Sequence, residues 1–203
     1  CKQLAELVRD TEDGTSNRFE AAAELNRRLS NAGHCPPPFW GHPQGHRYDN
    51  LTPTRPACAL PEYRLIESRL RARRLNIQSA FKLSGAGSVG SQTITGLASV
   101  HRMLTHPSLG ERATLWPFET QWSDRIDADG VVFAEIWPTL GDFDAPRFAH
   151  HPIKDARQVA AMVDWACSDP DALARSLARP DSLSEAEERT AREHEGWILG
   201  SPA

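Results

Sequence analysis

No run of this 203-residue chain approaches the roughly 20 apolar residues that a bilayer span requires, and no signal-type apolar segment opens it. A soluble, cytoplasmic protein without a membrane partner is therefore expected. Cysteine is sparse: Cys1, Cys35, Cys58 and Cys167 form no CxxC pair, which suits a reducing compartment better than a disulfide framework. There is no excess of basic charge either. Against 27 Asp and Glu stand 23 Lys and Arg, a formal charge of -4, so on average the chain offers nothing to a long nucleic acid. Only local runs such as Arg64 to Arg74 could make a basic patch. No internal repeat is visible, and no Ser-His-Asp or Cys-His order stands out.

What is present fits a globular protein with one core or somewhat more, at 39% hydrophobic and 25% charged residues. The chain opens with Cys1 inside an apparent helix, CKQLAELVRD, so a further N-terminal segment is expected ahead of it. NRFEAAAELNRRL follows, with Asn17 and Glu20 at the spacing of a capping box. Residues 31–61 form a loop rich in Pro, Gly and His, an irregular insertion of the kind that serves or covers a site. His34, Cys35, His42, His46 and Cys58 invite zinc there, but Pro43 and Gly45 break the helix that would align the two later histidines, so no structural zinc is predicted. Helices are predicted in PEYRLIESRLRARR, SQTITGLASVHRMLTH and DARQVAAMVDWAC, and extended segments in NIQSAFKLS, ATLWPFE and VVFAEIWP. Strands alternating with helices predict an α/β fold. Residues 1–168 read as the domain, with 169–203 as an exposed helical tail.

Two features carry chemistry. The stretch FKLSGAGSVGSQTITG contains a literal G-x-G-x-x-G at Gly85, Gly87 and Gly90. A dinucleotide site would place an acid about 20 residues on, at the end of the next strand, but Glu119 lies 34 residues beyond Gly85. A tight structural turn is the simpler reading. A third reading has Ser88, Gln92 and the helix-start amides meeting an anion such as a phosphate. The second feature is Glu135. Both faces of VVFAEIWP are apolar, which predicts a central strand buried on both sides, and a carboxylate there needs an ion pair, hydrogen bonds or a metal.

Asp155 begins the next helix. Ala156, Val159, Ala160, Val163 and Ala166 form an apolar stripe expected to face the core, Asp155 and Gln158 share a face, and Asp164 points elsewhere. Asp155 is either an acid placed for the helix dipole or a partner of Glu135. One acid on a central strand and one at the following helix start suit a Mg²⁺ or Mn²⁺ site for phosphoryl chemistry.

Taken in order, NRFEAAAELNRRL, FKLSGAGSVGSQTITG, LWPFE, VVFAEIWP and IKDARQVAA resemble an uncharacterised bacterial family related to the domain of unknown function 429, predicted to be RNase H-like nucleases; the resemblance covers most of residues 15–166. It implies a mixed sheet flanked by helices and a metal-dependent nuclease. Glu135 and Asp155 match the second and third acids of that superfamily's site. The first acid, with the opening strands, would precede Cys1, so those strands are absent from this chain and a further segment or partner chain would complete the sheet. Of the polar residues in the shared motifs, Glu119 is a metal ligand or a solvated strand end, Lys154 a phosphate contact or an exposed lysine, and Arg18 has no local explanation. The implied activity is phosphodiester hydrolysis on a nucleic acid or nucleotide. The alternative is a non-catalytic nucleotide- or protein-binding module of the same fold.

Overall fold

Ten residues, 8–17, connect the first helix to the second, and within them Asp10 and Ser16 form an antiparallel bridge. The computed structural model describes residues 1–125, 129–140 and 145–201; the remaining positions, which include the last two of the expected tail, lie outside that description. Two compact units divide the chain, Cys1–Gly110 and Glu111–Ala203.

The first unit contains α1 (Lys2–Leu7), α2 (Arg18–Asn31), α3 (Leu65–Ala72) and α4 (Gly90–Leu104). Small residues let the helices approach closely: Ala21 and Ala22 of α2 and Ala98 of α4 are buried together with Val8, Phe19, Leu51, Leu83 and Ile94. Asn17 stands at the N-cap of α2 but makes no side-chain cap bond. Its Oδ1 accepts the Arg9 N–H at 2.7 Å and its Nδ2 donates to the Leu7 carbonyl at 2.9 Å, so it secures the end of α1 instead of closing the expected capping box. No named helix or strand interrupts residues 32–64. Asn26 anchors this loop from α2: its amide donates to the carbonyls of Phe39 and Asn50 and its Oδ1 accepts the Phe39 N–H. The expected extended segment at 76–84 forms no strand. It makes one parallel bridge, Trp40 with Lys82, in which Trp40 donates to the Phe81 carbonyl and accepts from the Leu83 N–H.

The second unit carries β1 (Ala113–Leu115) and β2 (Val131–Phe133), then α5 (Lys154–Ser168), α6 (Pro170–Leu177) and α7 (Glu185–Thr190). The strands run parallel, pairing Ala113 with Val131, Thr114 with Val132 and Leu115 with Phe133. The architecture is thus mixed, mainly helical with a small parallel sheet, and α/β in the broad sense. Three tryptophans organise the interior. Trp122 meets Trp116 and Trp197 edge-on at 5.3 and 6.2 Å, and the Trp116 indole N–H donates to the Leu177 carbonyl at 2.9 Å. The segment expected to be an exposed tail supplies the buried Leu177, Leu183, Ala191, Trp197 and Ile198.

Two expectations are corrected here. β2 is not a central strand buried on both faces: all three of its residues are half-buried, and beyond it, among the described residues, comes a parallel bridge between Glu135 and Ile198. The apolar stripe of α5 does not face the interior. Val159 and Val163 are 56% and 57% exposed, whereas Ala161, on the opposite side, is buried. Two polar contacts accompany this rotation: Arg157 donates to the His151 carbonyl at 2.6 Å, and Asp164 pairs with Arg147 at 2.8 Å.

Candidate functional site

Glu135 lies two residues past the C-terminal end of β2 and is exposed. Its side chain is therefore not the costly buried charge that the sequence pattern predicts, and the argument from burial falls. The neighbouring backbone holds it in place, since the Glu135 carbonyl accepts the Leu199 N–H at 2.8 Å. Asp155, in the first turn of α5, is exposed too. It heads the outward side of the helix, on which Val159 and Val163 follow at four-residue intervals. Lys154 is exposed beside it, and Gln158 is half-buried.

Glu119 follows β1 by four residues. Its N–H donates to the Leu115 carbonyl at 2.8 Å while its Oε2 accepts the Leu115 N–H at 2.6 Å, so one carboxylate oxygen is already engaged in closing the turn. Among the described residues, no three His, Cys, Asp or Glu side chains converge in a group able to hold a metal ion. Glu119, Glu135 and Asp155 are accordingly not assembled into a three-carboxylate centre. They share one compact unit; Arg18, Ser88 and Gln92 belong to the other.

In the first unit the glycine turn has a local steric explanation. Gly85 and Gly87 take positive φ angles of 90° and 70°, and a Cβ at Gly87 would stand 2.7 Å from the Gln78 Oε1. The Lys82 ammonium donates to the Ala86 carbonyl at 2.6 Å across the turn. Ser88, half-buried, donates its N–H to the Gly85 carbonyl at 3.1 Å, and Gln92 is exposed in the first turn of α4. Arg18 begins α2 with its guanidinium 4.7 Å over the Phe19 ring, which supplies the local explanation missing from the sequence.

The second unit also has a cavity of about 320 Å³ that no sequence pattern marks. Arg112 and Asp129 line it, together with Thr114 and Val132, partners in the sheet register. Thr120 lines it as well, and its Oγ1 is buried without a hydrogen-bond partner. Neither Glu135 nor Asp155 is part of that lining. The polar residues are scattered over positions 111–132, without the periodicity that makes a site legible in sequence.

No protein-family model, no curated protein and no solved structure matches this chain. No helix among the described residues is long and apolar enough to cross a membrane.

Proposed function

We propose that the second unit belongs to an RNase H-like module and carries a divalent-metal-dependent phosphodiester hydrolase site, with Glu135 and Asp155 as its carboxylate ligands. The observation supporting this reading is positional. Glu135 stands exposed just past the C-terminal end of a strand in a parallel pair, the end at which open α/β sheets bind ligands. Asp155 adds a second exposed carboxylate at the start of the next long helix.

Mg²⁺ and Mn²⁺ take hard oxygen donors, and Mg²⁺ is commonly held by one or two carboxylates completed by waters and substrate phosphates. Two exposed carboxylates fit that donor set without a third protein ligand. When bound, such an ion polarises a phosphoryl oxygen and lowers the pKa of a coordinated water. Glu135 and Asp155 supply the negative charge that retains it. Lys154 and the free amides of the first turn of α5 offer compensating positive charge to a phosphate, and Gln158 can donate a hydrogen bond beside them. Ser88, Gln92 and Arg18 belong to the first unit and are not part of this proposed site. The second reading, a non-catalytic binding module of the same fold, draws support from Glu119, whose carboxylate is partly engaged by backbone.

Calorimetric titration with MnCl₂, paired with turnover of bis(4-nitrophenyl) phosphate, tests the proposal. Saturable Mn²⁺ binding and hydrolysis are expected, both lost in Glu135→Gln and Asp155→Asn. Because the two side chains are exposed, neither change should alter metal-free stability by more than about 0.5 kcal/mol. Binding without hydrolysis supports the binding module, and metal binding unaffected by either substitution sinks the site.

A further inference from the structure

The formal charge of -4 averages two unlike halves. Residues 1–110 contain 14 Lys and Arg against nine Asp and Glu, a formal +5, whereas residues 111–203 contain nine against 18, a formal -9. Within the basic half, five arginines fall between positions 64 and 74, with Glu67 as the one acid among them. The first unit therefore has the electrostatic footprint of a polyanion binder that the whole-chain charge conceals.

We infer that the C-terminal end of α3, built from Arg71, Arg73 and Arg74, binds the phosphate backbone of a single-stranded nucleic acid. Arg71, Arg73 and Arg74 are all exposed, and among the described residues no carboxylate pairs with Arg73 or Arg74. The helix dipole favours cations in the last turn, which accounts for Arg69 and Arg71. It does not account for Arg74. That residue occupies the left-handed position just beyond the helix, with φ at 66°, where glycine ordinarily sits. The closing pattern is complete around it: Arg74 N–H donates to the Arg71 carbonyl at 2.8 Å, and Leu75 N–H to the Leu70 carbonyl at 3.2 Å. A cationic side chain thus stands where a strain-free residue would serve the fold better, and a backbone outlier of this kind points to use of the side chain.

Arg71 gives the surface its second element. Its guanidinium lies 4.2 Å over the Tyr63 ring and donates to the Ile77 carbonyl at 2.9 Å, so it is held as a flat, oriented plane. Unpaired bases stack on such arginine and aromatic planes, while guanidinium forks match phosphate oxygens. Insertion into a bilayer surface is disfavoured, because Ile66 and Leu70 of α3 are fully buried and leave no apolar helix face to insert.

This inference uses none of the carboxylates of the second unit and is tested with metal chelated, so it stands or falls apart from the hydrolase proposal. The measurement is fluorescence anisotropy of a labelled oligo-dT strand in EDTA. Three phosphate contacts on a single strand predict a log-log salt slope of about -2, an affinity loss of about 20-fold between 50 and 200 mM salt. Arg73→Gln combined with Arg74→Gly should reduce the slope to about -0.7 and weaken binding at least about tenfold at 50 mM. Arg73→Gln alone, which leaves the helix end untouched, should give an intermediate slope and guards against misfolding of the double variant. An undiminished affinity in the variants, or no binding by the wild type, overturns the inference. So does preferential binding of polyglutamate or of phosphatidylserine vesicles, which would instead assign the surface to an acidic protein or a membrane.

Discussion

Gly90 donates its N–H to the Lys82 carbonyl across 2.8 Å, and a Cβ added at Gly90 would stand 2.6 Å from that same oxygen and from the Ala80 carbonyl. The third glycine of the G-x-G-x-x-G run is therefore required by the approach of α4 to the preceding segment. Backbone oxygens cannot swing aside as a flexible side chain can. Gly90→Ala is predicted to destabilise the protein by about 1–3 kcal/mol, read by urea unfolding. A cost below about 0.5 kcal/mol would show that the close approach relaxes freely.

Asn26 makes a sharper prediction. It is fully buried, and its side chain satisfies the Phe39 N–H and the carbonyls of Phe39 and Asn50. Asn26→Leu leaves these groups without their partner, at a cost of about 1–3 kcal/mol for an orphaned buried group. The loop should loosen before the helix does. Hydrogen exchange would show faster amide exchange at Phe39, and unchanged exchange there would refute the anchoring role.

Glu24 accepts bonds from Arg27 at 2.6 and 2.7 Å and from Arg28 at 2.7 Å. The Arg27 hydrogen bonds first, and those of Arg28 next, hold its carboxyl at about 2, below the ordinary 4.5. A depressed acid stabilises the fold above its unfolded value and loses that contribution as pH falls. The difference between wild type and Glu24→Gln should therefore be largest above pH 4.5 and shrink on acidification towards pH 2. The exposed pairing is screened, so added salt should narrow the same difference. A gap that widens on acidification would contradict the assignment.

The rotation of α5 predicts a contrast along one helix. Val159→Lys and Val163→Lys change exposed positions and should cost no more than about 0.5 kcal/mol each. Ala161→Lys forces a long cation into a buried position and should cost several times as much, with thermal melts as the readout. Equal effects at the three sites would mean that the valine side packs after all.

At Arg74 stability and binding should move in opposite directions. Replacement by glycine relieves the left-handed conformation and is predicted to stabilise the protein by up to about 1 kcal/mol, seen as a raised Tm. If Arg74→Gly lowers Tm, the side chain contributes contacts that outweigh the strain.

By itself the sequence determined the three longest helices, α2, α4 and α5, to within a few residues of their ends, because a 3.6-residue apolar rhythm survives without knowledge of neighbours. It also located both short strands and the turn glycines, whose steric requirements are local. What it could not determine was orientation. The stripe Ala156, Val159, Ala160, Val163 and Ala166 looked like an inward face, yet its valines stand exposed and its alanines half-buried, beside the Asp164–Arg147 salt bridge and the bond of Arg157 to the His151 carbonyl. Glu135 looked buried because its neighbours are apolar, but burial depends on how many strands flank it, and the described sheet has only two, with a single bridge to Ile198 beside them. The partner of that bridge lies 63 residues away in a segment of helical composition. Periodicity is a property of a local window, whereas exposure is decided by contacts distant in sequence, and so only the tertiary structure could place Glu135 at the surface.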